Sequence, residues 1–364
     1  MSYIHKGFVQ DNGMIDHGTI ITDPSALAIR PEDDGLHIVD YTVGDFEWWY
    51  FDVVDHTSGI YLKIVIHLGT DPLRMRIYPQ LAISLNTPDM SGSFSQPYSI
   101  NDLDIYTHQC NISIKDDVRV RTASGIPLEY TIVIDIPVFQ CNLTFVSDLE
   151  GWKPLGNGVT NQIGKKKGVF SWTIQSPKAR VEGEFTYKDK KVTLQNTIGY
   201  HDHNYIKVDR RNPLYLDELV TRWYWGKCYA ENHTVIFMDT HCRTNRILSL
   251  MVAEENRIIH SSNNMIDCLI THANYDHSLG VEYPASLMVT SKDENLPMQM
   301  VVATDRILDS KDLLEGVNPV LKWLIKKLVA KPVYHGLLSK VSIRLKNKSW
   351  EGFGNFEAMV FRTK

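Results

Sequence analysis

Thr197–Tyr205 reads TIGYHDHNY, and the rest of the chain is organised around it. These nine residues hold a glycine, two histidines, an aspartate, an asparagine and two tyrosines, with a single aliphatic side chain. Side chains alternate along a strand. If the stretch is extended, Tyr200, Asp202 and Asn204 share one face, and His201 and His203 share the other. Two further stretches have the same character: Glu47–Asp52 (EWWYFD) upstream and Arg222–Lys227 (RWYWGK) downstream. In the first, the same rule groups Glu47, Trp49 and Phe51 against Trp48, Tyr50 and Asp52; in the second, Trp223 and Trp225 share a face. Packing alone rarely clusters such interactive side chains, so the three stretches read as walls of one pocket.

Bulk properties set the frame. At 364 residues the chain has room for two domains. Its 43% hydrophobic and 22% charged content is that of a soluble globular protein, and no apolar run reaches the roughly 20 residues a membrane span needs. A net charge of −5 provides no general attraction to a polyanion, which argues against nucleic acid as a partner. The cysteines at 110, 141, 228, 242 and 268 form no CxxC pair. With no N-terminal signal pattern, they read as reduced thiols of a cytoplasmic protein.

Taken in order, residues 1–40 are polar and weakly periodic and read as an extended arm that packs across the body. From Glu47 the pattern becomes β: aromatic and β-branched runs recur between Asp, Asn, Gly, Ser and Pro clusters, at the spacing of an antiparallel sandwich or barrel. Residues 148–168 read as a long loop. Strands resume at Val169 and continue in the same style to Arg362. The fold class expected is all-β, with two antiparallel barrels covering 41–198 and 199–364. One helix stands out over 319–330: Asn318-Pro319 opens it, apolar residues recur from Leu321 to Val329, and Lys322, Lys326, Lys327 and Lys331 fill the other face. It reads first as a helix flanking a barrel. The second reading is peripheral membrane contact through its basic face.

The chemistry follows from the aromatic walls. Such a cavity favours a large apolar ligand oriented by a few polar groups. A carboxylic acid buried there can stay protonated near neutrality, give its proton to an alkene, and leave a carbocation for aromatic faces to stabilise. Asp202 is the candidate acid, oriented by Tyr200 and Asn204, with Trp172 and Trp223 as the stabilising rings. The plainer alternative is that Tyr200, Asp202 and Asn204 only tie strands together. His201, Asp202 and His203, with His233 and His241, could supply metal ligands, but HxH is a weak signal and the chain lacks a cysteine-rich set. No metal is assigned. GxGxxG, Walker, HExxH and GxSxG patterns are absent, so no cofactor is assigned either.

The residues also carry a resemblance. EWWYFD, Ser171–Phe185 (SWTIQSPKARVEGEF), GYHDHNY, RWYWGK and Gly352–Ala358 (GFGNFEA) resemble the double-lipocalin family of carotenoid 1,2-hydratase (hydroxyneurosporene synthase), AttH-like proteins and fungal lipocalin-like Diels–Alderases, over residues about 40–360. The resemblance implies two lipocalin-like barrels, a ligand pocket at or between them, and no organic cofactor. It also implies a YxD pair with a His-x-Trp pair upstream. Tyr200, Asp202 and Trp172 match that pattern, whereas Phe170 stands at the histidine position, which counts against carotenoid hydration itself. Glu47, Trp48, Trp49, Tyr50, Phe170, His201, His203, Trp223 and Trp225 are expected to contact substrate. Three functions remain: acid-catalysed hydration or cyclisation of a polyene or isoprenoid, pericyclic cyclisation by orientation alone, and non-catalytic carriage of a lipid-like molecule.

Overall fold

A computed structural model describes residues 19–20, 28–71, 76–123, 128–154, 159–163, 166–208, 220–242, 246–314, 319, 322–323, 326 and 331–360. These are almost entirely antiparallel strands. The chain divides into two compact units, one formed by Pro24–Gly158 with Val169–Pro213, the other by Met1–Asp23, Val159–Gly168 and Leu214–Lys364.

In the first unit, Lys190–Val208 is the central strand. Phe46–Asp55, Ile60–Asp71, Arg76–Asn86 and Ser91–Pro97 follow on one side; Lys166–Tyr187, Phe139–Ser147, Glu129–Ile136, Val118–Ala123, Ile112–Ile114 and Leu103–Ile105 follow on the other. Laid flat, these eleven strands at about 4.8 Å spacing would separate the two edges by about 48 Å. Yet the edges, Ser91–Pro97 and Leu103–Ile105, are joined by residues 98–102 alone, which reach about 20 Å at most. The sheet therefore curls, bringing its two edges toward each other. Its concave side is written in period two: Phe139–Ser147 alternates buried and less buried positions throughout, and Phe51, Val53, Ile64, Ile132, Leu143, Phe145 and Val181 join in one apolar core. Gly199 opens the central motif because a Cβ there would run into Val181 and Phe145.

The second unit repeats the device. Its path runs Arg257–Asn263, Arg246–Glu254, His233–Cys242, Val220–Ala230, Lys348–Val360, Val333–Leu345, Met298–Asp312, Val281–Ser291 and Ile266–Asp276. The outer two of these are joined by Asn264 and Met265. Arg246 donates to the Cys268 carbonyl at 2.7 Å, drawing the ends of this sheet together. Val235, Phe237, Leu250, Met300, Leu337 and Phe356 belong to its core.

Several expectations change. A boundary at 198/199 falls inside the single strand Lys190–Val208, so the central motif sits in the unit of EWWYFD. Within 1–40, Thr19–Ile20 pairs with Arg257–Asn263, and Pro31–Asp34 forms a 3-10 turn whose Asp34, like Ile38, is buried rather than laid across the surface. The expected 148–168 loop contains the strand Val159–Ile163, and Trp152, fully buried, bridges to Ile174. The expected helix over 319–330 lies outside the described residues except at 319, 322, 323 and 326; there Lys322 and Lys326 both pair with Asp312, at 2.8 and 2.7 Å. Two strands, Ile266–Asp276 and Met298–Asp312, carry register shifts that interrupt their alternation. Among the described residues no helix is long and apolar enough to cross a membrane.

Candidate active site

Lys190–Val208 pairs with Phe46–Asp55 so that Tyr200 faces Asp52, Asp202 faces Tyr50 and Asn204 faces Trp48. Tyr200, Asp202 and Asn204 share a face, as period two requires, and that face converges on one carboxyl group. The Tyr200 hydroxyl and the Trp172 indole N–H both donate to Asp202 Oδ2, at 2.7 and 3.0 Å; the Asn204 amide donates to Oδ1 at 2.8 Å. All four residues are buried. Tyr50, expected only to touch substrate, extends the network: its hydroxyl donates to Asp52 at 2.8 Å, lies 3.4 Å from that of Tyr61, and its ring packs edge-on to Tyr200. Lys63, also buried, stands opposite Asp52 on the next strand. A lysine inside the apolar run IYLKIVIH was the available signal for it. Phe170 is buried two residues before Trp172, and Trp152 packs edge-on against the Trp172 ring. Trp48 is half-buried against Phe46.

The opposite face does different work. His201 sets Nε2 at 3.1 Å from both Asp34 oxygens and Nδ1 at 2.9 Å from the Tyr50 carbonyl. His203 sets Nε2 at 3.0 Å from Glu47 Oε1 and Nδ1 at 3.1 Å from the Asp33 carbonyl. Each imidazole thus meets an oxygen at both nitrogens, a backbone carbonyl at Nδ1 and a carboxyl at Nε2. Their rings stack on Phe51 and Trp49 at 3.8 and 4.5 Å, inside the apolar core. Glu47 also accepts from the backbone N–H groups of His37 and Ile38 and from the Tyr41 hydroxyl. Burial by itself would raise the Glu47 pKa; hydrogen bonds from His203 and His37, with the charge of His203, outweigh it and hold the carboxyl down at about 2. Tyr130 donates to Asp34 at 2.9 Å, and burial beside that aspartate pushes its phenol well up. Glu47, Trp49, His201 and His203 therefore clamp residues 33–41 to the core, on the face away from Asp202. Sequence reasoning missed Asp33, Asp34 and Tyr130, which come from distant stretches.

The faces also bear on metal binding. His201 and His203 point away from Asp202, so these three cannot share an ion. Among the described residues two other sets, Asp34/Cys110/His201 and His37/Glu47/His203, bring possible ligand atoms within 4.8 Å of one another. In both, the imidazole and carboxylate are already at hydrogen-bond distance.

Trp223 and Trp225 belong to the second unit, so RWYWGK is not part of the sheet that carries the other two walls. There the Trp225 indole donates to Glu357 Oε2 at 2.9 Å, and the Tyr334 hydroxyl to Glu357 Oε1 at 2.6 Å. Neither Glu357 nor Tyr334 was singled out from the sequence.

Known proteins place this architecture. The fold is the two-domain, lipocalin-like one. An AttH protein from Nitrosomonas europaea superposes with a TM-score of 0.63 over 91% of this chain and 96% of its own, at 12% identity. Kievitone hydratase from Nectria haematococca gives 0.55 over 92% and 98%, at 11% identity. CghA in complex with Sch210972 gives 0.57 over 95% and 98%, also at 11% identity. In sequence, the chain is 27% identical over 221 residues to the hydroxyneurosporene dehydrogenase of Chlorobaculum tepidum, a match spanning 53% of this chain and 56% of that relative. No family model matches.

Proposed function

We propose that this protein is a cofactor-independent enzyme that hydrates or cyclises an apolar polyene or isoprenoid, with Asp202 as its acid. The observation that carries the reading is the convergence of Tyr200, Trp172 and Asn204 on one buried carboxyl. Burial disfavours the charged form of a carboxyl, whereas donors aimed at it favour that form. Opposed influences of this kind suit a group that must give up a proton and take one back. Asp202 protonates a substrate double bond, its O–H bond breaking as the new C–H bond forms. The cation left on the neighbouring carbon is attacked by water, which returns a proton to Asp202, or by a second double bond, with proton loss to the same carboxylate. Tyr200 and Trp172 stabilise the anion formed in the first step. The ring of Trp172 supplies a π-face toward the cation. The likeness in sequence to a hydroxyneurosporene dehydrogenase supports an isoprenoid substrate, and a fold shared with a hydratase is compatible with the reaction class.

The test is mass spectrometry of lipid extracts incubated with the protein. Hydration adds the mass of one water; cyclisation gives an isomer of unchanged mass. Asp202→Asn should lower formation of either product by about 10²- to 10⁴-fold while the protein stays folded, as read by circular dichroism. An isomer of unchanged mass formed undiminished by Asp202→Asn would move the assignment to an orientation-only pericyclase. A ligand retained but returned unaltered by both proteins would make it a carrier.

A further inference from the structure

We propose that Arg222 anchors an anion site at one end of the second unit, one that takes the carboxylate of an apolar organic acid. Tyr224 belongs to the apolar core, so Arg222, two residues before it on Val220–Ala230, faces the same inner side. His241 and Asp239 stand opposite Arg222 and Tyr224 in the register, and Arg246 stands opposite His241 on the next strand. Two guanidinium groups, one carboxylate and one imidazole therefore share an inner wall with the core residues Tyr224 and Leu248. The two arginines differ. Arg246 grips Asp239 with Nε on Oδ1 at 2.7 Å and Nη2 on Oδ2 at 2.8 Å, and the same Nη2 donates to the Cys268 carbonyl at 2.7 Å. That pair is closed. Arg222 donates to Nδ1 of His241 at 3.3 Å, and its guanidinium lies 5.8 Å from the Tyr224 ring centroid. The guanidinium keeps its charge at any ordinary pH, and among the described residues no carboxylate neutralises it.

This end of the unit is open. The side chains of His241 and Arg246 face inward, yet they are 20% and 38% exposed. Ile266–Asp276 runs on past Cys268, and its Ile270, paired with the core residue Leu287 and so turned to the inner side, is 41% exposed. Tyr283 adds a half-buried ring packed against the same core. Solvent therefore reaches both the charged rim and apolar inner surface beside it. Charge and shape then select the ligand. The acids of the neighbouring strands are engaged: Asp276 lies 3.0 Å from His335, and Asp312 holds Lys322 and Lys326. The wall is left with surplus positive charge, and a partly desolvated cation is best stabilised by an anion. A planar carboxylate matches the single guanidinium fork of Arg222 with two parallel bonds. A phosphate dianion would bring twice the charge onto a wall that is mostly apolar. The exposed apolar inner surface suits a hydrocarbon body. The site also gives a role to the arginine of RWYWGK, which the Asp202 chemistry leaves unused.

The experiment is a fluorescence titration of the full chain with cis-parinaric acid and with its methyl ester, which has the same polyene body but no charge. Wild type should bind the acid at least about tenfold more tightly. Arg222→Gln should bring that ratio close to one, and Arg222→Lys, which keeps the charge but loses the fork, should lower it severalfold. Equal affinities in wild type, no binding of either probe, or an undiminished ratio in Arg222→Gln would each overturn the proposal. Should Arg222→Gln fail to fold, as read by circular dichroism, the ratio in Arg222→Lys decides, and an unchanged ratio overturns it. The preference for the acid should persist in Asp202→Asn. Its disappearance there would place the acid in the first unit and sink this site.

Discussion

Asp202 draws donors from its own strand, two residues to either side, and another from Trp172. Glu357 takes donors from two other strands, with Trp225 and Tyr334 respectively 132 and 23 residues away in sequence. The chemistry is alike but the construction differs. A clamp made of neighbours two apart forms as soon as its strand is extended. One assembled across three strands exists only when both registers are right. The first should therefore tolerate disturbance elsewhere in its sheet better than the second.

The largest expected effect is on function and separates the two carboxylates. Asp202→Asn should lower turnover by about 10²- to 10⁴-fold, the range in which a positioned proton donor contributes. Glu357→Gln, assayed at saturating substrate, should change the same rate far less. Equal losses in kcat would mean that the two are not functionally distinct.

Next in size is the contrast between the two faces of the central strand. Glu47 is held at about 2 by groups on the core face, against about 4.5 when unfolded. A carboxyl whose pKa is depressed by folding stabilises the native state above its unfolded pKa, and that contribution is lost as pH falls through its folded pKa. The window is therefore pH 4.5 down to 2, and about 2.5 pH units at 1.36 kcal/mol each gives about 3 kcal/mol. Glu47→Gln should be less stable at pH 7 and show a shallower loss across that window, measured by urea unfolding at stepped pH. Parallel curves for the two proteins would rule out the ion pair as the anchor of residues 33–41.

The same contrast explains what the sequence could and could not reveal. The alternation of Tyr200, Asp202 and Asn204 against His201 and His203 was legible because period two is a local rule, and so was the all-β character of both halves. The unit boundary was not legible, because Lys190–Val208 runs through it as one strand. Nor was the partnership of Asp34 with His201, 167 residues apart, since nothing local in Pro31–Asp34 points to a buried imidazole. Glu47, Trp49, His201 and His203 looked like a ligand surface because their residue types are interactive. Their strand parity relative to Phe51 and Val53, which only pairing reveals, sends them to the core.

A smaller effect tests how tightly each motif is packed. Gly199 and Gly226 each sit where a side chain would collide across the sheet, the first with Val181 and Phe145, the second with Phe237 and Phe356. Alanine at either site forces core side chains to move and should cost about 1–3 kcal/mol, read as a fall in the denaturant midpoint at unchanged m-value. A neutral Gly199→Ala would mean that the core beneath the candidate site is looser than its contacts indicate.

The smallest effect is the most specific to the comparison. At Asp202 the Tyr200 and Trp172 donors share one oxygen, Oδ2; at Glu357 the Tyr334 and Trp225 donors take one oxygen each. Removing one of two donors on a shared oxygen lets the other shorten and compensate, so each single loss should be mild, about 1 kcal/mol or less, and the double loss should exceed their sum. Donors on separate oxygens should add. Double-mutant cycles with Tyr200→Phe and Trp172→Phe should therefore show an excess of about 0.5–1 kcal/mol, whereas Tyr334→Phe and Trp225→Phe should sum to within about 0.5 kcal/mol. Stability must be read by denaturant unfolding with each unit monitored separately, since the two need not melt together. If the excess appears at Glu357 instead, the distinction between a shared and a divided acceptor is wrong, and the two carboxylates must be told apart by their surroundings rather than by their donors.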